Sequence, residues 1–181
     1  MCYNFRPRMM KKLRFFCTAI LLALSSIGLQ GCLPSPYYQK VYSLPKNEWK
    51  YDHQLSFKFK IEDTAALHHL YFIIRHTDAY PFSNIWLWVH LKPPGAADFE
   101  KLRIEIPLAE TSGKWLGRGM GEIWEQRMPL TTDEKSLLFT KPGLYEIRLE
   151  QNMRVNPLPE ILQIGLRVAN AGHKKAPPTP H

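Results

Sequence analysis

The sequence predicts an all-β protein, an antiparallel β-sandwich of the jelly-roll type. Apolar and polar residues alternate with a period of two in several segments, which is typical of strands with one buried face. Proline- and glycine-containing turns separate these segments at short intervals. No long segment has a 3.6-residue apolar period with helix caps, and the Cys…Trp…Cys pattern of immunoglobulin domains is absent. A jelly-roll sandwich is therefore preferred over an immunoglobulin domain.

The first three predicted strands lie in the N-terminal half of the domain. Residues 55–62 have an apolar side chain at every odd position, which predicts a half-buried strand. Residues 70–75 are a denser run of β-branched and aromatic residues that suits a central strand, and residues 78–84 predict a loop. Residues 85–91 predict a strand with two unlike faces: Ile85, Leu87, Val89 and Leu91 on one, and Trp86, Trp88 and His90 on the other.

Three more strands complete the predicted sandwich. After a turn at residues 93–95, residues 99–106 predict a strand with Leu102, Ile104 and Ile106 facing inward. The Pro142-Gly143 turn precedes a predicted strand at residues 144–153, and a proline-containing loop at residues 156–159 precedes the last one, at residues 161–168. Six or more short, evenly spaced strands indicate an antiparallel β-sandwich.

The N-terminus resembles a bacterial lipoprotein signal peptide. A basic leader precedes an uncharged run of about 15 residues, shorter than the roughly 20 needed to span a bilayer, and Gly31-Cys32 follows. A short retained anchor is the alternative, but it would not need this processing signal. We expect removal of residues 1–31 and a covalent lipid on Cys32. The remaining chain is then a lipidated tether (32–50), a β-sandwich domain (51–170) and a disordered, proline-rich tail (171–181).

Removing the leader changes what the composition means. The chain has a formal charge of +8, but the leader holds five of the 24 basic residues and none of the 16 acidic ones, which leaves +3. This charge gives no indication of a nucleic-acid partner. Two of the three cysteines, Cys2 and Cys17, leave with the leader, and only Cys32 remains. A single cysteine excludes an intramolecular disulfide and a cysteine zinc site. We expect no cofactor apart from the lipid.

Several short motifs occur in a fixed order behind this signal. They are residues 111–123 (TSGKWLGRGMGEI), residues 142–145 (PGLY), residues 149–154 (LEQNMR) and residues 164–168 (IGLRV), with Val41-Tyr42, Trp49 and residues 80–84 upstream. Together they resemble the GldH family of gliding-motility lipoproteins from Bacteroidota, over about residues 30–170.

The resemblance implies a membrane-anchored lipoprotein that is required for gliding and acts beside other gliding-motility lipoproteins or secretion-machinery proteins. It implies no enzymatic activity that can be attached to residues. Residues 33–36 lack the acidic run that resembles a surface-export signal in this phylum. We therefore expect an outer-membrane location with the domain facing the periplasm.

The glycine-rich string at residues 113–124 is the first candidate binding site. It matches neither the dinucleotide-binding nor the Walker A pattern, so a glycine-permitted loop is the simpler interpretation. Aromatic and arginine side chains on a loop suit a protein contact surface. The candidate partner-binding residues are Lys114, Trp115, Arg118 and Trp124.

The tryptophan pair on the third predicted strand is the second candidate site. Trp86 and Trp88 share one strand face, and a row of aromatic rings on a sandwich can stack on sugars. An envelope glycan-binding module is therefore the alternative function. The simpler interpretation, that both tryptophans belong to the core or an interface, is favoured over it.

Metal and catalytic sites are not expected. His68 and His69 would point to opposite faces of a strand, so with His76, His90 and Asp78 they are expected to be surface or sheet-edge residues rather than ligands. Four carboxylates could supply an acid/base pair for glycan cleavage: Glu105, Glu110, Glu122 and Glu125. No nucleophile motif accompanies them, so an envelope hydrolase is the least favoured of the three functions.

Overall fold

The computed structural model describes residues 37–130 and 139–173, which form two antiparallel sheets. Within these residues there are nine strands, one 3-10 turn at Pro45–Asn47 and no helix long and apolar enough to cross a membrane. The predicted signal peptide, Cys32 and residues 174–181 lie outside the described residues. The strands are β1 (Tyr38–Ser43), β2 (Leu55–Ile61), β3 (Ala66–Thr77), β4 (Asn84–Lys92), β5 (Glu100–Pro107), β6 (Arg118–Met120), β7 (Ile123–Pro129), β8 (Gly143–Gln151) and β9 (Ile161–His173).

The strand order confirms the predicted fold class. One sheet has five strands in the order β1-β9-β3-β7-β6, and the other has four in the order β2-β8-β4-β5. Apart from the short β6, these are eight strands whose chain crosses repeatedly from one sheet to the other, as in a jelly roll. The sheets enclose one apolar core.

The period-two segments supply most of that core. In β2, residues Leu55, Phe57 and Phe59 are buried while the residues between them are half-buried or exposed, and β8 repeats the pattern with Tyr145 and Ile147. Complete burial of such a side chain contributes about 1.5–3 kcal/mol to folding. The alternation in the sequence therefore corresponds directly to the inner faces of the two sheets.

The structure contains three strands that the sequence did not predict. β6 and β7 occupy a region expected to be a loop, at residues 113–124, and the chain beyond it. Their alternation is weak because β6 is fully exposed and the buried residue of β7 is Gln126. β7 is specified by its pairing with β3 rather than by its own apolar residues.

The third unpredicted strand lies in the predicted tether. β1 pairs with β9 along its whole length, and Trp49, beyond the turn that follows, is fully buried and bridges to Leu158. The sandwich therefore begins before residue 51, and the tether is shorter than 32–50. The sequence did not predict β1, because this strand is polar and its partner strand lies more than 100 residues away along the chain. At the other end, β9 continues to His173, within the predicted tail.

One inward assignment was wrong. Leu102 on β5 is 63% exposed, although Ile104 is half-buried and Ile106 is buried as expected. β5 is an edge strand, and Leu102 lines a cavity of about 290 Å³ together with Leu70 of the facing sheet and Phe139. Alternation predicts which face a side chain shares but not how closely the opposite sheet packs against it.

Candidate interaction surfaces

The outer face of the four-stranded sheet brings aromatic and cationic side chains together. On β4, Ile85 and Leu87 are buried, which turns Trp86 and Trp88 outward, where both remain half-buried. The neighbouring edge strand, β5, alternates in the same way and turns exposed cations to this face. We call Trp86, Trp88, Lys101 and Arg103 the aromatic–cation face.

Each cation of this face covers one indole ring. The Arg103 guanidinium carbon is 4.0 Å from the centre of the Trp86 ring, and the Lys101 Nζ is 4.3 Å from that of Trp88. Arg103 Nε also donates a hydrogen bond to Asn152 Oδ1 at 2.7 Å, which holds the guanidinium over the sheet. Cation–π contacts of this kind contribute about 0.5–1 kcal/mol at exposed sites.

A histidine–carboxylate contact, an ion pair and a further ring continue this face toward β8. His90 Nε2 lies 3.0 Å from a Glu150 carboxylate oxygen, and the Arg148 guanidinium carbon lies 4.1 Å from the centre of the Phe99 ring. Arg148 Nε also donates to Glu146 at 2.6 Å. Desolvation acts to raise the pKa of Glu146, but hydrogen bonds from Arg148 and Ser56 outweigh it and lower that pKa. The surface is polar and internally paired.

The cations over the two indole rings affect whether a sugar can stack on Trp86 and Trp88, as the sequence predicts. Trp86 and Trp88 are neighbours on one outward face, as the sequence predicts. However, Arg103 and Lys101 already lie over their rings. A neutral sugar would have to displace these cations to stack, whereas an acidic group could approach them directly. Glycan binding by these residues stays a prediction.

The glycine-rich string at residues 113–124 divides into a packed part and an exposed part. The Trp115 ring lies 4.6 Å from His76 and 6.3 Å from Tyr80 between ring centres, and it is half-buried against the core. Trp124 lies on β7, and a Cβ at Gly119 would come within 2.9 Å of its ring. Both tryptophans are therefore built into the fold.

Lys114 and Arg118, the two cations of the same site, are exposed. Met120, which is not among the residues predicted from the sequence, is 80% exposed at the end of β6. An apolar side chain within a glycine-rich string is the signal that could have identified it. Lys114, Arg118 and Met120 are thus the exposed long side chains between residues 113 and 121, and we call these three residues the loop tip.

Two of the histidines are buried, which contradicts their expected surface or sheet-edge position. His68 faces the core while the adjacent His69 is half-buried on the opposite side of β3, so the two point apart as predicted. His76 is also buried; its Nδ1 lies 2.7 Å from the Thr77 carbonyl oxygen, and its Nε2 lies 3.3 Å from Gln126 Nε2. Burial lowers the pKa of both His68 and His76. Among the described residues, no three potential ligand side chains come together in a way that could hold a metal ion.

The candidate acid/base carboxylates are distributed over different surfaces. Glu105 lies on the outer face of the four-stranded sheet and accepts a hydrogen bond from Asn84, whereas Glu125 belongs to the five-stranded sheet and pairs with Arg75 at 2.7 Å. Glu110 accepts a hydrogen bond from Ser112, and Glu122 is exposed. Glu105 and Glu125 lie on the outward faces of different sheets, since their neighbours Ile106 and Gln126 are buried.

Comparison with known proteins identifies similar sequences along most of the chain. A family model described as GldH lipoprotein matches residues 36–168. A "Gliding motility lipoprotein GldH homolog" from Christiangramia forsetii is 25% identical over 159 residues, which cover 83% of this chain and 94% of the relative. "Gliding motility lipoprotein GldH" from Flavobacterium johnsoniae is 25% identical over 156 residues, covering 82% and 93%.

Among solved structures, the chain is similar to a carbohydrate-binding module specific for non-crystalline cellulose, CBM28. The match has a TM-score of 0.39 and 9% sequence identity, and it covers 76% of this chain and 75% of that one.

Proposed function

The chain belongs to the GldH lipoprotein family, and from this premise we propose that it serves gliding motility as a noncatalytic interaction subunit of the envelope machinery. The observation that carries the proposal is the extent of the match. The family model covers residues 36–168, and both gliding-motility relatives are covered over more than nine-tenths of their length. The partners would be other gliding-motility lipoproteins or proteins of the secretion machinery.

In this proposal a lipid on Cys32 holds the sandwich at the outer membrane, facing the periplasm. One acyl chain gives only marginal membrane binding, whereas the three chains of a bacterial lipoprotein make release slow. Labelling with radioactive palmitate tests the anchor: Cys32→Ala should lose the label, and Cys17→Ala, in the leader, should keep it. Incorporation of label into Cys32→Ala would contradict the proposal.

We assign partner binding to the loop tip. Lys114, Arg118 and Met120 are exposed, while Trp115 behind them is packed on His76 and fixes the loop. Because the loop is already fixed, it loses little conformational entropy when its exposed cations and methionine contact a protein. Trp115 then supports the surface rather than contacting the partner.

Capture of crosslinked protein from the envelope tests this assignment. Arg118→Glu with Lys114→Glu should reduce partner recovery and gliding at least tenfold while leaving the amount of folded protein unchanged. Arg154→Glu, which alters an exposed arginine elsewhere, is the matched control. Unchanged recovery and gliding in the loop-tip variant would place the partner surface elsewhere.

Binding of an envelope glycan is the second candidate function, and the half-exposed pair Trp86 and Trp88 favours it. Sedimentation with purified peptidoglycan and with acidic polysaccharide should show binding that Trp86→Ala with Trp88→Ala abolishes. Arg103→Ala with Lys101→Ala distinguishes two modes, because removal of the cations should strengthen stacking of a neutral sugar but weaken binding of an acidic one. Equal retention of wild type and the tryptophan variant would exclude this function.

A further inference from the structure

Within residues 37–130 and 139–173, β5 is the longest strand edge without a hydrogen-bonded partner. It is the last strand of the four-stranded sheet and has eight residues, of which Ile106 is the buried one and Ile104 the half-buried one. Every second residue of an edge strand directs its N–H and C=O away from the sheet. Among the described residues, no side chain hydrogen-bonds to this backbone. β5 therefore offers an open row of donors and acceptors.

The opposite edge of the same sheet is protected. β2 lies beside β1, and tyrosine hydroxyls from the N-terminal segment reach its free backbone groups. Tyr42 donates to the Ser56 carbonyl oxygen, Tyr37 donates to that of Lys60 at 2.8 Å, and Glu62 N donates to the Tyr37 hydroxyl at 3.2 Å. β6, at an edge of the other sheet, has only three residues. β1, at the other edge of that sheet, has six residues, so β5 is the longest edge strand without such protection among the described residues.

Cations on an edge strand usually discourage pairing with another chain, but those of β5 are turned away from the edge. Lys101 and Arg103 both lean back over the indoles of β4, at 4.3 and 4.0 Å from the ring centres. Leu102 between them is 63% exposed and lines a cavity of about 290 Å³, otherwise formed mainly by apolar residues of both sheets, including Leu70, Val89, Ile104 and Ile147. Among the described residues, the edge therefore combines unpaired backbone groups with an exposed apolar side chain.

The charges along β5 select its partner. On the outward face the strand carries Lys101, Arg103 and Glu105, and on the inward face Leu102, Ile104 and Ile106. We propose that β5 pairs antiparallel with β5 of a second copy of this chain, with Ile104 opposite its own equivalent. Arg103 then lies opposite Glu105 of the other copy, and Leu102 lies opposite Ile106.

Other registers that keep apolar residues on the inner face are less favourable. A shift in one direction places Arg103 opposite Arg103, and a shift in the other places Glu105 opposite Glu105. Like charges directly opposite one another on paired strands are destabilising, while opposite charges and apolar pairs each contribute about 0.2–1 kcal/mol. The register centred on Ile104 is therefore the one that satisfies both faces, and it joins two four-stranded sheets into one of eight.

Cysteine crosslinking of the full chain in its own envelope tests the register. One tagged copy carries Arg103→Cys and a second, differently tagged copy carries Glu105→Cys. Mild oxidation should crosslink the two copies at least tenfold more efficiently than either variant with itself, because residue 103 lies opposite residue 105. The chain without an added cysteine gives the background. Equal crosslinking in all pairings, or none, would overturn the proposal.

Charge reversal tests the interface independently of any crosslink. Capture of one tagged copy should recover the other, and Arg103→Glu should reduce this recovery at least tenfold by placing Glu opposite Glu105. Arg103→Glu with Glu105→Arg should restore it. Both variants lose the contact between Arg103 and Trp86. If that loss alone reduced recovery of the second copy, the double variant would recover no more of it than the single variant, and this outcome would contradict the proposal.

A matched pair of leucine variants tests whether the association depends on the β5 edge or on another surface of the same sheet. Leu102→Lys should reduce recovery of the second copy, whereas Leu144→Lys should not, since Leu144 is similarly exposed, at 59%, but lies on the outer face of β8. Equal loss in both variants, or recovery that neither changes, would count against β5 as the interface. This association goes beyond the proposed role in gliding and is measured without it.

Discussion

His68 and His76 are titratable side chains placed inside an apolar core. His76 has a hydrogen-bonding environment, since Nδ1 lies beside the Thr77 carbonyl oxygen and Nε2 beside the side chain of Gln126. His68 is instead enclosed by the rings of Tyr37 and Phe139, at 4.9 and 5.9 Å between ring centres. Burial disfavours the charged imidazolium and lowers the pKa of both residues below the ordinary value of 6.5.

This burial predicts that the domain loses stability in mild acid. Well above the ordinary pKa of 6.5, both histidines are neutral in the folded and unfolded chains, so they cause no loss of stability. Below that pH the unfolded chain binds protons that the folded chain does not, and the free energy of unfolding falls by up to about 1.4 kcal/mol per histidine and pH unit until the lowered folded-state pKa is reached. Denaturant titrations between pH 8 and pH 5 should show this fall, and His76→Gln should reduce its slope.

His69→Gln is the matched control for that measurement, because His69 lies on the other side of β3. An identical slope in the wild type and His76→Gln would show that His76 does not titrate as described. The sequence predicted that His68 and His69 point apart, since alternation is a property of the strand itself. It could not predict that His76 is buried, because this depends on Trp115 and Gln126, which reach it from distant parts of the chain.

At the scale of elements, the β6–β7 hairpin depends on glycine where two strands approach closely. Gly117 has a φ of +100°, and a Cβ there would lie 2.4 Å from the Glu125 backbone oxygen and 2.5 Å from Gln126 Cγ. A residue with a side chain would suffer both a strained conformation and a backbone clash. Gly121, in the turn of the same hairpin, has a φ of +63° but nothing within 4 Å of its Cβ position.

Alanine at the two glycines should therefore have unequal effects. Gly117→Ala should reduce the free energy of unfolding by about 2–4 kcal/mol, and Gly121→Ala, which meets only the conformational cost, by about 1 kcal/mol. Denaturant midpoints of the two variants measure the difference. Equal losses would mean that the hairpin shifts to relieve the contact at Gly117.

The elements that the sequence predicted are those that carry their own signal. β2, β4 and β8 alternate because one face of each is buried against the opposite sheet, and this pattern is visible in a short stretch of sequence. β1 and β7 are strands because distant partners, β9 and β3, pair with them. For the same reason the sequence could select Trp115 and Arg118 but not distinguish the packed tryptophan from the exposed arginine.

At the scale of the whole molecule, the residues before position 51 belong to the fold. β1 forms one edge of the five-stranded sheet, and Tyr42 on it and Tyr37 just before it hydrogen-bond to the free edge of β2 in the other sheet. Trp49 is fully buried, donates from Nε1 to the His53 carbonyl oxygen at 2.9 Å and forms a bridge with Leu158. The segment from Tyr37 to Trp49 thus contacts both sheets of the sandwich along one side.

Two truncated chains test where the domain begins. A chain that starts at Leu33 keeps β1 and Trp49 and should unfold cooperatively, whereas one that starts at Tyr51 loses both. Removal of a buried tryptophan alone costs about 3–5 kcal/mol, against a total stability of about 5–15 kcal/mol for a domain. The loss of β1 and of Leu44 adds to this cost, so the shorter chain should show no cooperative thermal transition. Tyr42→Phe, which removes one capping hydroxyl, should lower stability by only about 1 kcal/mol. Equal melting temperatures for the two truncated chains would restore residue 51 as the start of the sandwich.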